Sequence, residues 1–355
     1  MSTLRRAELD AFVRGAMLLG SGGGGDAALY SYQLATLLPD DGVELIPLAE
    51  AVAGGLGQVA PIGMIGATSV LSEKLPHGGE IGEAIAALQR WTGRTVEAVM
   101  PVEAAGLNAA LAVAAACELG LPLVDCDLMG RALPRFDQLS LVAAQPELLR
   151  CAALCEPGGQ LLIVDHSSPA ELERTVRSHV ANAGGWAGAA FGPVAATDLV
   201  GRVCEGTLER ALMLGRSLSG TEDAGATAVT LGGRFLAAGR VIDVRRPAVT
   251  SAQFGRGSFA VTDRGGPVLR IEAENEYLVA FLDGEPVVSC PELICVLDRR
   301  TAESIAVERL RAGDDVQVIA LPGPIWWTSS SDRVATVGPR AFGIDLDPVL
   351  LGAAR

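Results

Sequence analysis

The sequence predicts two domains: an N-terminal three-layer α/β domain around a mainly parallel sheet, and a C-terminal β-barrel or sandwich-like domain. Three observations carry this. Residues 95–102, 109–119 and 121–125 read as strand, Ala-rich helix and strand, a βαβ unit with parallel strands and a right-handed connection. From about residue 221 the texture changes to short β-branched runs, at 226–231, 239–244, 258–262, 268–272, 276–281, 285–289, 293–297 and 315–320, broken by Gly, Pro and Asp about every ten residues. The chain, at 355 residues and 49% hydrophobic, has the length of two ordinary domains. The expected division is 1–168 and 169–355, with the helical stretch 169–220 and the last twenty or so residues placed to pack on the first domain.

The net charge of -14 argues against nucleic acid and against anionic membrane surfaces as partners. No apolar run reaches membrane-spanning length without polar residues or helix breakers. The start, Met1 to Asp10, is a polar helix opening rather than a secretion signal, and seven scattered cysteines read as reduced thiols in a cytoplasm. Cys151 and Cys155 lack a second pair at zinc-finger spacing.

In chain order, residues 4–19 form an amphipathic helix with Leu9, Phe12, Val13, Ala16 and Met17 on its apolar face. Gly22, Gly23, Gly24, Gly25 and Asp26 follow and open a helical pattern over 27–38. A glycine cluster there offers backbone N–H groups to an anion or polar ligand. It has neither the preceding strand of a dinucleotide fingerprint nor a P-loop ending, which weakens a nucleotide-dependent reading. Asp26 is a helix cap, a ligand contact, or both. Strands are expected at 43–48 and 58–66, and a helix at 81–91. Glu73 and Lys74 lie in the loop between, as does His77, a solvated residue or else a metal ligand or general base.

The stretch Leu121 to Arg131 concentrates the chemistry. An apolar strand ends in Asp125 and Asp127, spaced i, i+2, and Arg131 follows. Ligands of open α/β sheets bind at the carboxyl ends of strands. Glu103, closing strand 95–102, then sits beside Asp125 and Asp127 at neighbouring strand ends. Acids grouped in such a crevice can bind a metal, act as base and acid, or hold a cation. Asn108 opens the crossover helix nearby. Cys126 is a candidate nucleophile or a small buried residue. A strand over 159–165 ends in Asp165-His166, with Ser167 or Ser168 capping a helix over 170–182.

Several motifs occur together in order: Gly22-Gly23-Gly24-Gly25-Asp26, Glu73-Lys74, Glu103 with Gly106 and Asn108, and Val124-Asp125-x-Asp127-x-Met129-Gly130-Arg131-Ala132. Further on come Glu274-Asn275-Glu276-Tyr277, Pro291-Glu292-Leu293-Ile294, and Gly338-Pro339-Arg340-Ala341-Phe342-Gly343. Through them the chain resembles the S-methyl thiohydantoin desulfurase domain family over nearly its whole length. Ala105 and Leu128 stand where the family pattern has glycine. The resemblance implies an α/β domain followed by a β domain, and kinship with proteins found beside hydantoinase and oxoprolinase enzymes. It implies a hydrolase acting on a thiohydantoin-like cyclic imide and releasing sulfide or a methylated thiol. In that expectation Glu103, Asp125, Asp127 and Asn108 are catalytic. Gly22 to Gly25, Asp26, Glu73, Lys74 and Arg131 bind substrate. A divalent metal such as zinc, held by carboxylates with His77 or His166, is compatible with the residues, although no HExxH spacing supports it. The alternative is a non-catalytic partner or ligand-binding subunit of a hydantoinase-type system. The apolar helices hint at self-association.

Overall fold

A computed structural model describes residues 2–71, 73–165, 168–218, 223–246 and 255–352. The first sheet contains β1 (Ser2–Leu4), β2 (Val43–Pro47), β3 (Gln58–Gly66), β4 (Ala98–Pro101), β5 (Leu123–Asp127), β6 (Cys151–Cys155), β7 (Leu161–Asp165), β8 (Trp186–Phe191), β9 (Val194–Ala195) and β10 (Cys204–Glu205). Its order is β1-β2-β5-β4-β3-β8-β6-β7, with β10 on β5 and β9 on β3. The sheet is mixed rather than mainly parallel. β2, β5, β4 and β3 form a central parallel block. β1 on one side, and β8, β6 and β7 on the other, run antiparallel to their neighbours.

The expected βαβ unit is present: β4, the helix Leu107–Leu119 and β5, with Val99 opposite Leu123. That helix is buried from Leu107 to Ala116. Ten consecutive buried positions leave no polar face, which is why its sequence shows alanine on all sides rather than amphipathic periodicity. The strands β6 and β8 were not legible as strands. Both are Ala-rich and fully buried, so neither shows the alternation of a half-exposed strand. Cys151 and Cys155 lie on β6 as free buried thiols.

The second sheet, β11 (Arg234–Arg245), β12 (Gly257–Thr262), β13 (Leu269–Ala273), β14 (Tyr277–Leu282), β15 (Glu285–Ser289), β16 (Leu293–Asp298) and β17 (Asp315–Leu321), is antiparallel in the order β15-β14-β13-β12-β11-β17-β16. It curls into a half-barrel that brings β14 and β15 back against β16. The stretch 226–231 is not a strand: Ala224–Thr230 is a helix whose first turn is capped by Asp223, which accepts the Ala226 N–H at 2.8 Å. Ser168 caps the helix Pro169–Asn182, while His166 and Ser167 lie outside the described residues.

The two sheets are joined at the front of the molecule. The helices Leu9–Gly20 and Thr207–Leu218 cross at backbone contact. A Cβ on Gly15 would overlap the Ala211 carbonyl, and one on Gly215 the Ala11 carbonyl. The first of these helices ends at Ser21, in a left-handed conformation, whose hydroxyl bonds both the N–H and the carbonyl of Ile294 at 3.0 and 2.9 Å. The Tyr277 N–H donates to the Ser21 carbonyl at 2.7 Å, and the Val307 N–H to that of Gly22 at 2.9 Å. The glycine loop is thereby clamped between the half-barrel and the α/β sheet.

Candidate active site

The carboxyl ends of β4 and β5 and the start of the helix Leu107–Leu119 meet this clamped loop. Gly106 takes φ +53°, and a side chain on it would overlap the Gly24 carbonyl. The close approach lets the Leu107 N–H donate to that carbonyl at 2.8 Å. The Gly23 N–H closes a turn on the Gly20 carbonyl at 2.9 Å. Of the donors expected in the glycine cluster, only Gly23 is engaged, and the N–H groups of Gly22, Gly24 and Gly25 have no partner among the described residues.

Glu103 lies buried one turn before the helix. Asn108 Nδ2 donates to its Oε1 at 2.9 Å, and Asn108 Oδ1 accepts the Met64 N–H from β3 at 2.7 Å. Asp127 is fully buried. Its Oδ2 accepts the Ala104 N–H at 2.5 Å, and its Oδ1 the N–H groups of Met129 and Gly130 at 3.0 and 2.5 Å. The sequence thus places Asp127 to tie the end of β5 to the segment that carries Glu103. Asp125 faces another task. It accepts the Leu208 and Glu209 N–H groups at 2.7 and 3.2 Å, so it caps the helix Thr207–Leu218.

A third buried carboxyl, Glu276, enters from the half-barrel at the start of β14. A Cβ on Gly23 would lie 2.5 Å from Glu276 Oε1, so the glycine at 23 leaves room for this side chain. Glu276 Oε2 is buried without a hydrogen-bond partner among the described residues. Sequence reasoning did not place Glu276 in the site. It stands in the Glu274-Asn275-Glu276 motif, but nothing local tells a reader that it meets Gly23, some 250 residues away.

The electrostatics are those of acids removed from water. Burial pushes Glu103 up to about 8, opposed by the Asn108 hydrogen bond and reinforced by the charges of Glu276 and Asp127. Burial lifts Asp127 to about 7 against its three backbone donors, and Glu276 to about 7 against the nearby Arg131 guanidinium. Asp125 rises to about 6 by burial, countered by its two N–H donors. Cys126, between the two aspartates, is buried with its sulfur 3.5 Å from Met100 Sδ. Burial holds its thiol well above the ordinary value, the opposite of what a nucleophile needs.

The remaining expected residues fall in different places. Arg131 is fully buried, and its guanidinium donates to three carbonyls: Glu292 at 2.6 Å, Tyr277 at 3.3 Å and Ala132 at 3.2 Å. It joins β5 to the half-barrel behind Glu276. Asp26 caps the turn Ala27–Tyr30 and pairs with Arg309 at 3.1 Å across the same junction. The structure does not bring Lys74 to the carboxyl group: its Nζ donates to the Ala183 carbonyl at 2.7 Å and lies 3.6 Å from Glu156. Glu73 and His77 are exposed in the same loop. Among the described residues, no three His, Cys, Asp or Glu side chains converge as a metal site. No helix among them is long and apolar enough to cross a membrane.

The comparisons agree with this architecture. Residues 7–166 match the family model described as S-Me-THD-like, N-terminal domain, and residues 167–351 the one described as S-Me-THD-like, C-terminal domain. A crystal structure of a protein from Chromobacterium violaceum is similar in fold, with a TM-score of 0.80 at 23% identity, covering 98% of this chain and 100% of that one. No curated protein matches the chain significantly.

Proposed function

Because the chain belongs to the S-Me-THD-like family, we propose that it is a hydrolase that displaces a sulfur substituent from a thiohydantoin-like ring, with Glu103 and Glu276 moving the protons. One observation carries the assignment of residues. Glu276 is buried against Gly23, Glu103 is buried in the segment that packs on Gly24, and Glu276 Oε2 has no hydrogen-bond partner among the described residues. A buried polar atom left unpaired is costly, and ligand or water is the natural partner.

The reaction needs water to add to the ring carbon that bears sulfur. A C–O bond forms there and one water proton passes to a base. In an S-methyl substrate the C=N bond opens and its nitrogen takes a proton from the acid, while in an unmethylated one the C=S bond opens and the sulfur takes it. The tetrahedral intermediate then returns its hydroxyl proton to the deprotonated acid, and the C–S bond breaks as the leaving sulfur takes up the proton held by the base. The products are a ring carbonyl and a thiol, or hydrogen sulfide from an unmethylated substrate, with both carboxyl groups restored. Glu276, free on Oε2, is the base in this reading. Glu103, protonated at neutral pH, is the acid that serves the ring nitrogen. Asn108 orients Glu103. The unpaired N–H groups of Gly24 and Gly25 are the donors for charge that develops on the intermediate. Asp127 positions the segment of Glu103, Asp125 caps a helix, and Arg131 holds Glu276's neighbourhood, all without touching the ring.

The test is thiol release from a panel of 2-thiohydantoins and S-methyl thiohydantoins, followed with a thiol reagent with zinc and with a chelator. Release that survives chelation is the expected result. Release abolished by chelation would replace Glu276 with a metal-activated water. No release from any member would overturn the desulfurase reading and favour a partner subunit of a hydantoinase-type system.

A further inference from the structure

A cleft of about 300 Å³ opens between the turn Ala27–Tyr30 on one side and Leu71 with the segment 75–78 on the other, well along the crossover helix from Glu103. That volume is ordinary for one small ligand. Its walls are apolar, with Leu29, Leu71, Leu75 and Pro76 around the mouth. A smaller recess of about 30 Å³ shares Tyr30, Gln33, Pro76 and Gly78 with it and runs along the helix Leu107–Leu119, past Leu111 and Ala115, to Glu80 and Glu118.

Two polar side chains here are more than nine-tenths buried, and each has an oxygen without a protein partner among the described residues. Tyr30 is 7% exposed, yet its hydroxyl has no hydrogen-bond partner among the described residues. Glu80 is 5% exposed; its Oε1 accepts the His77 N–H at 2.8 Å, while its Oε2 has no described donor and no cation is paired with it. Glu118 accepts from Gln33 Nε2 at 2.8 Å beside them. Apart from His77 at the rim, the lining has no basic residue. Burial, with the charges of Glu80 and Glu118, holds the Tyr30 phenol above its ordinary value, so it stays a neutral hydroxyl.

A buried carboxylate facing an apolar cleft without a counter-charge selects for a cation. We propose that this cleft binds a small organic ammonium that carries one apolar ring or branched chain. The ammonium meets Glu80 at the floor and donates to the Tyr30 oxygen, while the apolar part lies against Leu71, Leu75 and Leu111. The site is separate from the carboxyl group of Glu103 and does not depend on the reaction assigned there.

The experiment is titration of the full chain with benzylammonium and isobutylammonium, each against its neutral alcohol, by calorimetry and by NMR of the ligand. Saturable binding of the amines, at least tenfold tighter than of the alcohols, is expected. Glu80→Gln should weaken amine binding about tenfold or more, and Tyr30→Phe about fivefold. Glu103→Gln should leave it unchanged. Should Glu80→Gln fail to fold, Ala115→Leu fills the recess and should abolish binding instead. Equal affinity for amine and alcohol, no saturation by either amine, or binding indifferent to Tyr30→Phe would overturn the proposal.

Discussion

Asn108 fixes the face that Glu103 presents. Its Oδ1 accepts the Met64 N–H at 2.7 Å, so its Nδ2 is the atom 2.9 Å from Glu103 Oε1. An amide held in this sense can only donate to the carboxyl group. Oε1 is therefore an acceptor, and the Leu133 N–H is a further donor to this carboxyl group.

Glu103→Gln keeps an acceptor for Asn108 and removes the transferable proton. Thiol release should fall at least about a hundredfold, with the melting temperature little changed. Turnover near that of the parent protein would remove Glu103 from the mechanism.

The buried acids also set how stability depends on pH. Glu103 is held up to about 8, and Asp127 and Glu276 up to about 7, above the ordinary values of 4.5 for Glu and 3.8 for Asp. Between the ordinary and raised values the folded protein binds protons that the unfolded chain has released. Their contribution to stability is present below the ordinary carboxylate range and is lost as pH rises through 7 and 8. The melting temperature should fall from about pH 5 to pH 8, and Glu103→Gln should flatten the upper part of that slope. A melting temperature that rises over this interval would contradict the assignment.

Asp125 and Asp127 differ by two positions and should differ in kind. Asp125→Ala removes two acceptor contacts at the start of the helix Thr207–Leu218 and should cost about 1–2 kcal/mol of stability. Asp127→Ala strands three buried N–H groups next to Glu103 and should cost more, about 3 kcal/mol or above. In the fraction that remains folded, Asp125→Ala should turn over normally and Asp127→Ala should not. Denaturant melts paired with initial rates check both.

Glu276→Gln replaces a partly unsatisfied buried carboxyl with a neutral amide. The expected result is unchanged or higher stability with loss of turnover. Gly23→Ala approaches the same group sterically: its Cβ would press on Glu276 Oε1 at 2.5 Å and on the Asn275 carbonyl at 3.0 Å. It should lower turnover and cost about 1–3 kcal/mol. Full activity in both variants would exclude Glu276 as the base.

The sequence showed the parts of this site that are local. Glu103, Asn108 and Asp127 follow from one βαβ unit, because strand ends and helix starts are set by short-range pattern. The β-rich character of the second sheet was legible from its short runs and from the Asp283-Gly284 turn, but its order was not, since β11 pairs the distant β17. What was not legible depends on distant contact. Arg131 looked like a ligand for substrate, but three carbonyls, two of them from the half-barrel, occupy it. Lys74 looked like part of the same pocket, but the end of the helix Pro169–Asn182 draws it to Ala183. Glu276 reaches the site only because the half-barrel closes over Gly23. The strands β6 and β8 were hidden by their composition, since alanine favours helix and carries no strand signal even where tertiary burial places it in a strand.

The most direct test of water attack at the sulfur-bearing carbon is hydrolysis of an S-methyl thiohydantoin in ¹⁸O-labelled water, with thiol and ring product measured together. The proposed mechanism predicts one solvent oxygen in the ring carbonyl for each methanethiol released, and loss of both signals together in Glu103→Gln. Thiol release without label in the ring, or label elsewhere in the product, would contradict it.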